Sequence, residues 1–319
     1  SPYAALSSRS AGRAHPISTC DLRTCYQRDR DRIIHCKSFR RLKYKTQVFL
    51  TPMGDHYRTR LTHTLEVSQV AHTLARSLRL NEDLTEAAAL GHDLGHTPFG
   101  HIGESTLNRL LPGGFRHNEQ SLRVAERLEN DGQGLNLCRE TLDGILNHSG
   151  QNEPKTLEGW CVRRADRIAY INHDIDDAIR GGILKPFELP RRCLSVLGKT
   201  HGERIDTMIR DIVTTSLDQP FVKMSEEVRQ ASEELRAFLF EYVYHDEWRK
   251  KEEARCDYIL SALYEHYLAH PEQLPAEYLE INFTEGAERA VCDFIACMTD
   301  RYAIDQFSEI FVPGAFGRR

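Results

Sequence analysis

Ala87-Ala88-Ala89-Leu90-Gly91-His92-Asp93-Leu94-Gly95-His96 is the stretch whose reading decides the fold. Small apolar residues run unbroken into an imidazole and a carboxylate on adjacent positions, bracketed by Gly91 and Gly95. Upstream, Asn81 reads as an N-cap, with Glu82 and Asp83 in the acidic first turn of a helix that reaches His92. Such a helix packs its alanine face inward, so His92 and Asp93 arrive where a core should be. Two ionisable groups in that setting are unfavourable unless something compensates them. A divalent metal does so, because it takes a neutral imidazole and an ionised carboxylate as ligands.

Helical periodicity continues on both sides. Leu61, Leu65, Val67, Val70, Ala71, Leu74 and Leu78 recur at three-to-four spacing, which predicts one buried stripe. A third helix is expected from Gly159 to Ile179, carrying Val162, Ala165, Ile168, Ala169 and Ile175, and closed by Gly181-Gly182. The segment from Gln47 to Tyr57 reads as a short β-hairpin around Pro52 and Gly54. From about Ser225 the chain is again a run of amphipathic helices. The expected fold is all-α: a helical core with one short hairpin and a C-terminal helical extension. Its expected segments are a basic arm and helix over 1–50, a core over 51–224 and a C-terminal subdomain over 225–319.

Composition narrows the setting. The 319 residues suffice for a sizeable core, and 40% hydrophobic with 28% charged residues is ordinary for a globular protein. No apolar run approaches the roughly 18 residues of a membrane span, and no signal-peptide core stands near the first residues. Nine scattered cysteines without a C-x-x-C pair point to free thiols in a reducing compartment, so a cytoplasmic protein without membrane contact is expected. The net charge of −5 hides an asymmetry: Arg23 to Lys45 is strongly basic, while the acidic surplus lies towards the C-terminus. That asymmetry suits a polyanionic ligand, although a solvated helix face explains it equally well.

A metal at His92 and Asp93 needs further ligands. His63 lies on the first predicted helix one turn after Arg60, and Asp166 lies among small apolar residues of the third. A lone histidine there is more often an ordinary core or surface residue, and an isolated aspartate beside Arg163, Arg164 and Arg167 is usually an ion-pair partner. Spacing alone leaves these alternatives open.

The ordered set His63, His92-Asp93, Asp166 resembles the H…HD…D signature of the HD phosphohydrolase superfamily. The resemblance sharpens along Arg28-Asp29-Arg30-Asp31-Arg32-Ile33-Ile34-His35, Phe39 to Phe49, Arg58-Thr59-Arg60-Leu61-Thr62-His63, His92 to Glu104 and His117-Asn118-Glu119-Gln120-Ser121. Over these stretches the chain is similar to bacterial dGTP triphosphohydrolase-like proteins, nearly continuously from Ser8 to Gly182 and less so afterwards.

The resemblance implies hydrolysis of deoxynucleoside triphosphates to a deoxynucleoside and inorganic triphosphate. It implies one divalent metal per site, held by His63, His92, Asp93 and Asp166: Mn²⁺ or Mg²⁺ for turnover, with Fe, Ni, Co or Zn as other occupants. His101 and Glu104, at i and i+3, are then the expected acid for the 5′-oxygen and its orienting partner. His96 and His117 are expected beside the phosphates, with support of a ligand or helix capping as the alternative role for both. A triphosphate carries about four negative charges, so cations are needed beyond the metal, and Arg60 and Arg167 are expected there. Tyr170 and Asp174 follow Asp166 on one helix stripe and are expected at the sugar, with Gln47 nearby. Relatives form hexamers or tetramers, and a regulatory dNTP or single-stranded DNA is a further expected partner. Two other readings stand beside this one: a nucleotidase or signalling-nucleotide phosphodiesterase of the same superfamily, and a nucleic-acid-binding protein with a vestigial site.

Overall fold

The structure is a computed structural model, and residues 1–47, 58–243 and 247–313 are described. These residues form fifteen α-helices: α1 (Cys25–His35), α2 (Lys37–Arg41), α3 (Arg60–Ser77), α4 (Glu82–Gly91), α5 (His101–Leu110), α6 (His117–Arg123), α7 (Arg139–Leu146), α8 (Leu157–Arg180), α9 (Arg191–Leu197), α10 (His201–Ser216), α11 (Glu226–Tyr242), α12 (Glu247–Ala269), α13 (Ala276–Glu285), α14 (Ala287–Cys297) and α15 (Asp300–Phe311). The all-α expectation holds. Pairing between extended segments is limited, among the described residues, to isolated bridges between Arg13 and Cys138 and between Thr46 and Thr59. Apart from Gln47, the expected hairpin lies outside the described residues.

Local chemistry sets the helix starts. Thr59 caps α3 by accepting from the Thr62 amide (3.3 Å), and the Thr62 hydroxyl accepts the Thr59 amide in return (3.0 Å). Asn81 caps α4 by accepting from the Leu84 amide (3.1 Å), while its side-chain amide donates to Ala5 O (2.7 Å). Asn81→Ala is therefore expected to cost about 1 kcal/mol, read as a lower urea-unfolding midpoint. An unchanged midpoint would show that neither contact adds stability.

Three apolar cores surround the centre. One joins α3, α8, α10 and α11; a second joins α5 with α12 to α15; a third lies between α1, α2, α4 and α7. On α3 the buried stripe runs through Arg60, His63, Thr64, Val67, Val70, Ala71 and Leu74. Leu65 does not belong to it, being 50% exposed. At 100° per residue it points about 160° away from Val67, so spacing that looked apolar placed it on the outer face. The same arithmetic puts Arg60 and His63 squarely on the inward one.

The basic run of Arg23 to Lys45 is engaged in good part by partners within the chain. Arg30 pairs with Asp31 and Glu86, Arg23 with Asp31, and Arg32 donates to Leu135 O (2.7 Å) and Asn136 O (2.8 Å). Lys45 is buried, and Arg23, Lys37, Arg40 and Lys43 are exposed.

Candidate active site

Six helices deliver side chains to one place: the starts of α3, α5 and α6, the turns after α4 and α7, and the middle of α8. The turn after α4 is held by α6. The Ser121 hydroxyl donates to His92 O (2.7 Å) and accepts the Gly95 amide (2.9 Å). A Cβ on Gly95 would meet Ser121 N at 2.1 Å, so only glycine lets this turn lie against the α6 backbone. The glycine after His92-Asp93-Leu94 is thus required by packing.

His63, His92 and Asp93 are buried and their ligand atoms lie within 4.8 Å of one another. Asp166 Oδ1 joins them, 3.2 Å from His63 Nε2 and 3.9 Å from His92 Nε2. His92 Nδ1 donates to Ala89 O (2.6 Å), which directs Nε2 inward, and that buried Nε2 has no hydrogen-bond partner. An orphaned imidazole nitrogen facing two carboxylates fits a divalent metal. Burial works to raise the Asp93 and Asp166 carboxyls. Neighbouring charges outweigh it: His92 and Arg60 for Asp93, the His63 hydrogen bond and His92 for Asp166. Both carboxyls are held below the ordinary range, the ionised form that a cation requires. The four expected ligands are brought together.

Arg60 is placed differently from a cation reaching out to a ligand. It is 2% exposed, pairs with Asp93 Oδ2 (2.7 Å) and donates to Gln47 O (3.1 Å). It therefore ties Asp93 to the segment that carries Gln47. Gln47 itself is buried. Arg167 and Tyr170 are partly exposed on α8 and Asp174 is buried one turn further; burial pushes the Tyr170 hydroxyl up to about 12.

A second group of histidines adjoins the first. His96 stacks on His117 with ring centres 4.8 Å apart, and His101 lies edge-on to His96 at 5.6 Å. Glu104 is shared: its carboxylate accepts from both the His117 amide and His117 Nδ1 (2.9 Å each) and lies 3.5 Å from His101 Nδ1. The sequence pairs Glu104 with His101 alone; the fold makes His117 its closer partner. Burial opposes charge on His117, yet the Glu104 hydrogen bond and charge raise its pKa. His101 is the open member, its side chain 64% exposed.

His148 is the residue that sequence reasoning missed. It follows α7, is buried, and presents Nε2 3.2 Å from His117 Nε2 while its ring lies 4.9 Å from that of His92. Burial, reinforced by the charges of His92 and His117, lowers its pKa to about 3. A histidine two residues after an apolar turn carries no local mark of a site. His173 was missed likewise: it lies edge-on to His63 at 5.9 Å and 3.2 Å from Glu66.

The C-terminal helices clamp this site. Asp300 accepts from the Thr46 amide (2.9 Å) and the Phe99 amide (2.9 Å), and Lys45 Nζ donates to His96 O and to Ala296 O (2.8 Å). Burial pushes the Lys45 ammonium down to about 8. Phe99 has φ 61°, a left-handed conformation unfavourable for an aromatic residue, immediately before Gly100 and His101. Asp300→Ala would leave two backbone amides unpaired at about 1–3 kcal/mol each if both stay dry. A net loss of about 2 kcal/mol in urea unfolding is expected; no loss would mean that water replaces the carboxylate without penalty.

Comparison with known proteins agrees with this architecture. The HD domain family matches residues 60–171, and the phosphohydrolase-associated domain family matches residues 222–309. A deoxyguanosinetriphosphate triphosphohydrolase-like protein of Caldanaerobacter subterraneus subsp. tengcongensis is 59% identical over 313 residues, 98% of this chain and 92% of its own. Proteins of the same description from Clostridium perfringens and Geobacter sulfurreducens are 51% identical (97% of this chain, 93% of theirs) and 42% identical (98% and 94%).

Proposed function

The chain is an HD-domain phosphohydrolase belonging to the deoxyguanosinetriphosphate triphosphohydrolase-like family, and from that premise we propose that it hydrolyses deoxynucleoside triphosphates to a deoxynucleoside and inorganic triphosphate. The observation that carries this reading is the adjacency of two sets: the buried His63, His92 and Asp93 with the partly buried Asp166, and the exposed His101 backed by Glu104. A simple metal-holding site has no need of the second.

In this reading the four residues hold one divalent cation, Mn²⁺ or Mg²⁺ for turnover. When bound, such an ion polarises a phosphate oxygen and acidifies water. The rest is done by the chain. His101 turns Nδ1 towards Glu104, so Nε2 is the atom that delivers a proton to the departing 5′-oxygen. Arg60 keeps Asp93 ionised and in place, which leaves Arg167 as the more accessible phosphate contact. His96 and His117 line the phosphate path, Tyr170 lies beneath the deoxyribose, and Asp174 and Gln47 meet its hydroxyl side. Residues 51–224 carry the chemistry, supported by 1–50 and by 225–319.

The test is to incubate the purified protein with each dNTP and each NTP plus Mn²⁺ and resolve the products by ion exchange. Deoxynucleoside with intact triphosphate is expected. Mono- or diphosphate products would point instead to a nucleotidase or phosphodiesterase, and no product with any metal would remove the proposal.

A further inference from the structure

His101 and Glu104 stand in the first turn of α5, and little within that turn anchors it. The helices α3 and α4 start on Thr59 and Asn81, whose side chains cap them, whereas α5 starts on Gly100, which has no side chain to offer. The backbone leading in is unfavourable by itself. Phe99 and Gly100 both have φ 61°, and an aromatic residue holds that conformation only where its surroundings impose it. The exposed His101 side chain meets Glu104 and the ring of His96, so its placement follows the backbone beneath it.

What imposes the conformation comes from two remote places. The Lys45 ammonium donates to His96 O, at the start of the loop, and to Ala296 O (2.8 Å), near the end of α14. Asp300, the first residue of α15, accepts the Phe99 amide (2.9 Å) with one oxygen and the Thr46 amide (2.9 Å) and hydroxyl with the other. Residues 45 to 47 are thus a brace between the C-terminal helices and the loop 96–100. The brace is closely seated, since a Cβ on Gly100 would meet Gln47 O at 3.0 Å. It is also tied to α3: the Arg60 amide donates to Lys45 O (3.0 Å) and the Arg60 guanidinium to Gln47 O (3.1 Å). For stability alone, an apolar side chain would serve better than a buried ammonium at position 45. Joining the carbonyls of two elements 200 positions apart is what the ammonium does and an apolar side chain does not.

We infer that Lys45 and Asp300 are positioning residues for His101. Together they fix the loop 96–100 and with it the first turn of α5, so the C-terminal helices set where His101 stands relative to the departing 5′-oxygen. The inference rests on the dNTP reading above and adds the residues through which the C-terminal unit takes part in it. A displacement of about 1 Å at such a group lowers a rate by on the order of 10²-fold.

Asp300→Ala and Lys45→Met, each in the full chain, are compared with the unaltered protein in two ways. Hydrogen exchange read by mass spectrometry follows the amides of residues 96–104 and needs no substrate. Both variants are expected to exchange faster there while α3 and α8 stay as protected as before, which also reports that the fold survives. In steady-state dNTP hydrolysis kcat is expected to fall by about 10²-fold, with KM and metal content nearly unchanged. Asp300→Asn, which keeps one acceptor oxygen, should lose less. In a His101→Ala background, Asp300→Ala should lower the rate no further, because the group it positions is already gone. Losses that multiply in the double variant, or a loop that exchanges as slowly as in the unaltered protein, would overturn the inference. An unaltered protein that releases no triphosphate would instead remove the proposed function, and the exchange comparison would then decide the brace by itself.

Discussion

Asp166→Ala and His92→Ala are each expected to reduce turnover below detection and to lower the divalent metal content of the purified protein. The two residues reach the site from helices that meet only in the folded chain. Asp166 comes from the middle of α8, and its Oδ1 is the oxygen that faces both His63 and His92. His92 supplies a buried nitrogen with no other partner. Removing either deletes a ligand from a set too buried for water to substitute freely, and the same ion is asked to polarise the phosphate and acidify water. Metal analysis beside a dNTP assay checks the prediction. An Asp166→Ala protein with full metal and full rate would remove Asp166 from the ligand set.

His101→Ala is expected to behave in the opposite sense on metal. It should keep the full metal content while kcat falls about 10²- to 10⁴-fold, the range for loss of a positioned acid or base. The side chain touches none of the four ligands; it sits at the rim, 64% exposed, 3.5 Å from a Glu104 carboxylate also hydrogen-bonded to His117. Burial tends to raise the Glu104 carboxyl, but hydrogen bonds from His101 and His117 hold it far below the usual range. Glu104 therefore stays a carboxylate at any working pH and favours the protonated form of His117. A loss in KM alone, with kcat intact, would assign His101 to ground-state binding of the phosphates.

Much of this site is legible in the sequence. The cap at Asn81, the three-to-four spacing of α3 and α8, and the ionisable pair after an alanine helix are all local signals. They act over three or four residues because helix geometry does. The ordered motif then gathered His63, His92, Asp93 and Asp166 into one set. Leu65 shows where the same reasoning slips, since apolar character without its angle around the helix does not say which face it takes.

The remainder needed the fold. Glu104 is three residues from His101 in the chain, yet its shortest contacts are to His117, because α6 starts directly against α5. His148 enters only because α7 ends beside the turn after α4. Asp300 reaches Thr46 across 254 positions and Phe99 across 201. No local pattern encodes such contacts; they follow from how three cores pack around one centre.

By itself, then, the sequence determined the helices, the inward placement of the His92-Asp93 pair and the class of chemistry, because each depends on short-range periodicity, capping and an ordered motif. Tertiary structure alone decided that Arg60 holds Asp93, that Glu104 serves two histidines, and that His148 meets His117. Those are questions of distance between remote side chains, and distance is settled by packing.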